Sequence, residues 1–316
     1  MSSIIKNRGF WVILVTVMAC VAITVTIGFV AQPTKSSFSP NENEQTSSNA
    51  IPTAYGGTDI TVSGVVVGKR WAETDINTHI TSLVATASKG YTFSHWTRTK
   101  SSTTIKYSGR TSFSCPEALQ SSFNPVFVAN SRVKMVSSLA DIQNNYASSS
   151  YDILMLTGDI DAAGAALTTI DKTFSKVLDG AGYTIRNLTS SSNGLLFKTL
   201  TGVIKNLTLE AGNLTATSTD CGGFIQTINS NGVISNCVMR SDIKSTMDSS
   251  CVGAFAAFAT GSTSTTDTCF IDGCTNAGSV MGYYVGAMIC DNKYATCSLI
   301  DNVMEGSMTS LLGLSK

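Results

Sequence analysis

Charge is what this chain has least of. Of its 316 residues, 21 are Lys or Arg and 21 are Asp or Glu, 13% together, and the formal net charge is zero. Without a basic excess there is no electrostatic footprint for a nucleic acid, and without an acidic tail there is none for a basic partner. Histidine is almost missing too. His79 and His95 lie far from the cysteine-rich half, and no Cys-x-x-Cys occurs, so a zinc site has no ligand set to draw on. HExxH, phosphate loops and nucleophile elbows are also absent, and no cofactor is expected. What is abundant is Ser, Thr, Asn and Gly among Val and Ile. That mixture suits β-structure with many turns, because β-branched side chains pack well on a pleated surface.

One long run carries no charge at all. Residues Phe10 to Ala31 would cover about 33 Å as a helix, enough for a hydrocarbon core of about 30 Å. Lys6 and Arg8 precede it, so the positive-inside rule leaves the short N-terminus in the cytoplasm. The expected order is a cytoplasmic N-terminus at 1–9, a transmembrane anchor or uncleaved signal at 10–31, and a flexible polar stalk at 32–51. Two other readings stay open. One is a cleaved signal peptide with a site near Thr26-Ile-Gly28, and the other a lipoprotein box at Val17-Met-Ala-Cys20. All three export residues 32 onward. The expected address is the plasma membrane, single-pass, with the bulk of the chain outside.

From about residue 180 a two-part phrase recurs: an Ile-x-Asn core, a polar stretch, then Gly followed by large apolar residues. It reads Ile185-Arg-Asn187 with Gly194-Leu-Leu-Phe197, Ile204-Lys-Asn206 with Gly222-Gly-Phe224, and Ile234-Ser-Asn236 with Gly253-Ala-Phe255. Looser copies are Ile271-Asp-Gly273 with Gly286-Ala-Met288 and Ile300-Asp-Asn302 with Gly313-Leu314. The Ile positions lie roughly 20 to 37 residues apart, a drifting period that marks a stacked array whose units cannot bury their apolar face alone. Inward residues such as Ile204, Leu207, Phe224, Ile234, Phe255 and Ile271 are expected to form one apolar column. Asn187, Asn206 and Asn236 are expected at a bend, where Asn tolerates the left-handed conformation and can bond the Asn beneath it. Gly194, Gly223, Gly253 and Gly286 are expected at a tight corner.

Eight cysteines follow the apolar run, and an even count in an exported chain favours disulfides. Cys221 and Cys251 both stand just before the Gly-aromatic phrase, and Cys237 and Cys274 both follow the Ile triplet. Equivalent positions in stacked coils lie about 4.8 Å apart, within the Cα range of a disulfide, about 4.4–6.8 Å. Stacked pairs Cys221–Cys251 and Cys237–Cys274 are therefore allowed. The alternative is that these cysteines are small buried apolar residues of the ladder.

Residues 52–130 read as a separate β module. Asp59-Ile-Thr-Val-Ser-Gly64 and the stretch from His79 to Ala87 alternate as strands, Lys89-Gly90 turns into Tyr91-Thr-Phe-Ser-His-Trp96, and Phe123-Asn-Pro-Val-Phe-Val128 closes the sheet. Tyr91, Phe93 and His95 would share one strand face and Trp96 the other. His95 reads as a strand surface residue, and the aromatics as the filling of a small core, with sugar stacking on Tyr91 and Trp96 as the alternative. The order of these strands around Lys-Gly-Tyr-Thr-Phe-Ser-His-Trp resembles the divergent internalin B-type (Listeria–Bacteroides-like) repeat of bacterial surface proteins. That resemblance implies a small β-grasp-like module, a spacer or adhesive element; Cys115-Pro116 departs from it.

Residues 131–316 carry the repeats, opened by a cap at 131–180. Val133-Lys-Met-Val reads as a strand, and Ser138 offers the N-cap oxygen of a short helix. The phrases Leu156-Thr-Gly-Asp-Ile-Asp161 and Leu178-Asp-Gly-Ala-Gly-Tyr-Thr-Ile185, then Gly202-Val-Ile-Lys-Asn-Leu207 and Gly232-Val-Ile-Ser-Asn-Cys237, are similar to GLUG-type repeats and the cap that precedes them. The resemblance implies a right-handed parallel β-helix, mainly β overall. The last copies are degenerate and no terminal cap is recognisable, which leaves two readings: the sequence is a fragment, or the uncapped C-terminal coil pairs with a partner, end-to-end self-association included.

Parallel β-helices often act on polysaccharides. The candidate acids are Asp159, Asp161, Asp171 and Asp179; Asp159, Asp161 and Asp179 fall in the cap phrases, where they can bond turn amides instead of flanking a substrate as a glycosidase pair must. No catalytic residue is assigned. Asn187-Leu-Thr189, Asn206-Leu-Thr208 and Asn213-Leu-Thr215 fit the N-glycosylation sequon. The expected function is a non-enzymatic, membrane-anchored surface protein that contacts a host or envelope glycan or protein. A carbohydrate-active β-helix enzyme and a spacer of a larger surface protein such as a peptidase are the alternatives.

Overall fold

The computed structural model describes residues 58–65, 80–100, 102–167, 171–190, 194–210, 214–216, 220–261, 268–294 and 297–310. The expected anchor at 10–31, the stalk, His79 and Asn213 lie outside these. Among the described residues no helix is long and apolar enough to cross a membrane.

Residues 35–316 cluster as one unit, whose larger part is a parallel β-solenoid of about five turns. From Val203 onward a full coil visits five sheets in turn, whereas the described strands of the coils starting at Ile153 and Val177 fall in only three of them. In the coil that starts at Val203, the strands are Val203–Lys205 in sheet I, Thr208–Glu210 in sheet II, Leu214–Ala216 in sheet III, Asp220–Gly222 in sheet IV and Ile225–Asn229 in sheet V. The next coil begins at Val233–Ser235 beside the first strand, in parallel register. Sheet I is the longest, with seven strands from Val133–Val136 to Cys297–Ile300.

Stacking in register is what makes short strands stable. A three-residue strand cannot nucleate alone, but here each backbone group pairs with the coil above or below. In sheet I the inward column is Leu154, Leu178, Ile204, Ile234, Ile271 and Leu299. In sheet II it is Ile160, Ile185, Leu209 and Met239. Phe224 and Phe255 stack with ring centroids 4.9 Å apart. Ile204, Leu207, Phe224, Ile234, Phe255 and Ile271 all belong to this single apolar core.

The first coil is covered by the expected strand and helix. The helix Leu139–Asn145 starts at Ser138, whose Oγ accepts from the Asp141 amide at 3.2 Å, while Asp141 Oδ2 accepts from the Ser137 amide at 2.9 Å. Ile142 enters the core, with Leu139 and Tyr146 packed against it.

Two corrections concern the repeat itself. Ile185 is not equivalent to Ile204: it stands in sheet II between Ile160 and Leu209, and the residue beneath Ile204 is Leu178. Asn187 therefore turns the corner after sheet II, whereas Asn206 and Asn236 turn the corner after sheet I. The triplets look alike because both corners need a left-handed residue, and Asn187, Asn206 and Asn236 have φ of 54°, 52° and 51°. The second correction is at the glycine corner. Gly222, not Gly223, is in register with Gly253 and Gly286. A Cβ at Gly222 would lie 1.8 Å from the Ile225 carbonyl oxygen.

The residues before the solenoid form two three-stranded antiparallel sheets. One has the order Thr58–Val65, Ile80–Ala87, Ser112–Pro116, and the other Thr103–Ser108, Tyr91–Lys100, Phe123–Ala129. The expected split of faces along Tyr91–Trp96 fails because the register shifts between Phe93 and His95 against Phe127 and Val126. The extra residue, Ser94, reverses the alternation, so Phe93 and Trp96 meet in one core with centroids 6.0 Å apart. Trp96 is buried and its Nε1 donates to the Arg110 carbonyl at 2.9 Å, which removes it from sugar stacking. His95 is buried as well, not on the surface.

Candidate functional site

The outward face of sheet I is not free. Val177, Val203, Val233 and Phe270 project from it into a second apolar cluster shared with Phe93, Trp96, Tyr107, Phe113 and Phe123 of the antiparallel sheets. Tyr107 and Phe270 sit with centroids 4.8 Å apart. Beside this apolar seam runs a polar column made, in four successive coils, by the residue after the inward Leu178, Ile204, Ile234 or Ile271; the last copy drops out, because Leu299 and not Ile300 continues the Ile271 column. Asp179, Lys205, Ser235 and Asp272 are in successive register and all are buried. Lys205 Nζ donates to the Phe93 carbonyl at 2.8 Å and lies 3.3 Å from Asp179 Oδ2. Ser235 Oγ accepts from the Gly109 amide at 2.8 Å, and Asp272 accepts from Ser108 Oγ at 2.5 Å and from Arg110 at 3.3 Å. Arg110 also reaches Asp301 at 3.0 Å. A side chain at Gly109 would put its Cβ 2.9 Å from the Lys205 Cβ, so the close approach requires glycine.

Burial sets the charges in this seam. The His95 pKa is pulled from 6.5 down to about 3, first by desolvation and then by Lys106 and Lys205. Its Nδ1 is 2.8 Å from Ser94 Oγ. Burial also lowers the Lys205 pKa, against the opposing pull of Asp179. His95 is neutral at any ordinary pH.

Three of the four candidate acids are bound into turns. Asp159 accepts from the Thr184 amide at 2.9 Å and from Arg186 at 2.8 Å. Asp161 accepts from the Ala163 amide and from Asn187 Nδ2, and those bonds hold its pKa below the usual carboxylate value. Asp179 accepts from the Ala181 amide and from Asn206 Nδ2, and Asn236 Nδ2 then donates to Asn206 Oδ1 at 2.8 Å. Asp171 is exposed in the turn before Thr173. The structure does not bring the four together. The nitrogen and the oxygen of the Asn206 side-chain amide are both engaged in the ladder, while Asn187 is exposed.

The expected cysteine pairs do not form. The register places Cys221 opposite Val252 and Cys251 opposite Asp220, a one-residue offset that turns Cys221 into the core and Cys251 outward. Cys251 is bonded to Cys290 of the next coil, with a Cα separation of 5.7 Å. Cys237 and Cys274 do hold equivalent places in adjacent coils, but as thiols: Cys237 donates to the Ser235 carbonyl at 3.2 Å and Cys274 to the Ile234 carbonyl at 3.5 Å. Burial pushes the Cys221 thiol up to about 12 and Cys274 well above its usual value, so neither is a ready nucleophile.

The disulfide floors a cleft of about 310 Å³ lined by Asp220, Ser249, Phe258, Tyr284 and Asp291. Sequence reasoning missed it, because Asp220 and Asp291 are 71 residues apart and meet only through two registers, Asp220 with Cys251 and Phe258 with Asp291. Tyr284 is exposed and is held edge-on by Tyr283, centroids 5.1 Å apart. Two carboxylates beside two aromatic rings can accept hydrogen bonds from hydroxyls while a ring face covers a sugar's apolar side.

No family profile and no curated protein matches the chain. Among solved structures, the chain is similar to a crystal structure described as that of a "putative immunoglobulin A1 protease from Bacteroides ovatus". The identity is 14%, over 59% of this chain and 86% of that one, with a TM-score of 0.28. A likeness of that extent carries no argument about fold or activity.

Proposed function

We propose that this chain is a membrane-tethered protein of the cell exterior that binds a glycan or a protein without chemically altering it, its solenoid serving as a rigid adhesive scaffold. The observation that carries the reading is the cleft of Phe258, Tyr284, Asp220 and Asp291, fixed on stacked strands and crossed by a disulfide. An intercoil disulfide suits an oxidising compartment. The uncharged run from Phe10 to Ala31, preceded by Lys6 and Arg8, supports the tether. GLUG-type coils and a β-grasp-like docked module are the finer form of this reading.

The test is binding of the full chain, in detergent or nanodiscs, to arrayed glycans, envelope fragments and cell-surface proteins. A ligand bound in the cleft should weaken about ten-fold or more with Tyr284→Ala, as loss of one aromatic anchor costs at least about 1.4 kcal/mol. No retention on any surface would count against adhesion. A second reading is favoured by the two cleft carboxylates: a carbohydrate-active enzyme using Asp220 and Asp291. Reducing-sugar release abolished by Asp220→Asn or Asp291→Asn would establish it over binding alone.

A further inference from the structure

The amine of Lys205 is buried against a carboxyl group, an arrangement that can react. Lysine is almost never fully buried unless it is paired, and a buried ion pair is seldom more stabilising than apolar residues of the same volume. This pair stands on two adjacent strands of sheet I, with Asp179 in register with Lys205. Oδ2 of Asp179 is 3.3 Å from Nζ, and the two side chains are 7% and 2% exposed. Ser235 and Asp272, next in the same column, face donors of the antiparallel module instead of each other.

We infer that Lys205 and Asp179 join in the folded protein as an intramolecular amide, a covalent rung between successive coils. A bond forms between Nζ and Cγ, the Cγ–Oδ2 bond breaks, and two of the three ammonium protons leave with Oδ2 as water. The third proton stays on the amide nitrogen, the opposite charges cancel, and no oxidant, reductant or activating group is consumed. The oxygens of Asp179 are already sorted for this step. The Ala181 amide at 2.9 Å and Asn206 Nδ2 at 3.0 Å both donate to Oδ1. They stabilise the negative charge that collects on Oδ1 as Nζ adds to Cγ, in the manner of an oxyanion hole, and leave Oδ2 as the departing atom. The Phe93 carbonyl, 2.8 Å from Nζ, fixes the nitrogen. Burial lowers the Lys205 pKa against the pull of Asp179, which raises the share of uncharged, nucleophilic amine. The surroundings are apolar: the Phe93 ring centroid is 4.7 Å from Nζ, and Val177 and Val203 of the same two strands lie in the seam cluster. Reaction replaces two desolvated charges by a neutral group, so the penalty of burying the ion pair drives it forward. An Asp-Gly step has a rival way to lose water, attack by the glycine nitrogen to give a succinimide. Here the Gly180 amide donates to the Lys205 carbonyl at 2.8 Å and is held in the sheet. The inference does not depend on the ligand in the cleft.

The test is peptide mapping of the full chain, purified in detergent, reduced, alkylated and digested with trypsin. The amide blocks cleavage after Lys205, so the expected product is a branched peptide in which residues 177–186 are joined to residues 199–240. Its mass should fall short of the sum of its two parts by one water. Lys205→Arg keeps a cation but removes the amine, and it should release residues 177–186 as a free linear peptide. If that variant fails to fold, the unaltered chain decides alone. Linear 177–186 recovered intact from the unaltered chain, with cleavage after Lys205, would overturn the inference. So would a loss of water confined to residues 177–186 with Lys205 free, the mark of the succinimide.

Discussion

Replacing Lys205 by Met should cost more than any exposed charge change in this protein, and the reason is its place between the two halves of the fold. The ammonium is 2% exposed, lies 3.3 Å from Asp179, donates to the Phe93 carbonyl at 2.8 Å and sits 4.7 Å over the Phe93 ring. Methionine has nearly the same volume, so packing changes little. What is lost is the partner of two buried acceptors. Breaking a buried ion pair from one side costs about 3–5 kcal/mol, because the other charge is left uncompensated. The double variant Lys205→Met with Asp179→Asn removes that orphan charge, while the Asn oxygen can still accept from the Ala181 amide and from Asn206. It should recover about 2 kcal/mol or more, the size of coupling expected for groups in direct contact. Urea unfolding of residues 35–316 followed by circular dichroism reads all three free energies. A single-variant loss below about 1 kcal/mol, or a double variant no better than the single, would refute the claim that this pair is dry and bridges the seam.

Other outcomes follow from the same contacts. His95 has a folded-state pKa far below its ordinary 6.5, so the unfolded chain binds the proton first as the pH falls. Its contribution to stability is complete above pH 6.5 and is lost progressively toward pH 3, with a slope of at most about 1.4 kcal/mol per pH unit. A proton titration by NMR should find one His, His95, unchanged between pH 7.5 and 5; an inflection of that ring near 6.5 would place it in water. Cys251→Ser with Cys290→Ser should lower stability by about 2–4 kcal/mol, and reductant should bring the native protein down to the same melting temperature. A melting temperature indifferent to reductant would deny the bridge.

How far the sequence could be read depended on whether a contact was local. The inward Ile residues and the Asn bends show a period, and Ile204, Ile234 and Ile271 do share one column, as Asn206 and Asn236 share one ladder. Ile185-Arg-Asn187 misled because two different corners make the same demand on backbone conformation. The middle residues Lys205, Ser235 and Asp272 share no chemistry from copy to copy and so show no period. They form the column that holds the antiparallel module, and their partners Phe93, Gly109 and Ser108 lie more than 100 residues away. The loose copy at Gly273 has the same origin: a Cβ there would meet Arg110 Cδ at 3.2 Å, so the Asn of the ladder gives way to the arginine that clamps Asp272. Cysteine pairing and the cleft were illegible because a one-residue register decides which face a side chain takes.

The central claim is that the module made by the first strands is docked on sheet I through that column, and a single crosslink tests it. With Ser108→Cys and Asp272→Cys, whose native oxygens are 2.5 Å apart, mild oxidation of the full chain should give one disulfide joining residues 108 and 272 in a non-reduced peptide digest. If both new thiols remain alkylatable under conditions that keep Cys251–Cys290 intact, the module is not where this account puts it.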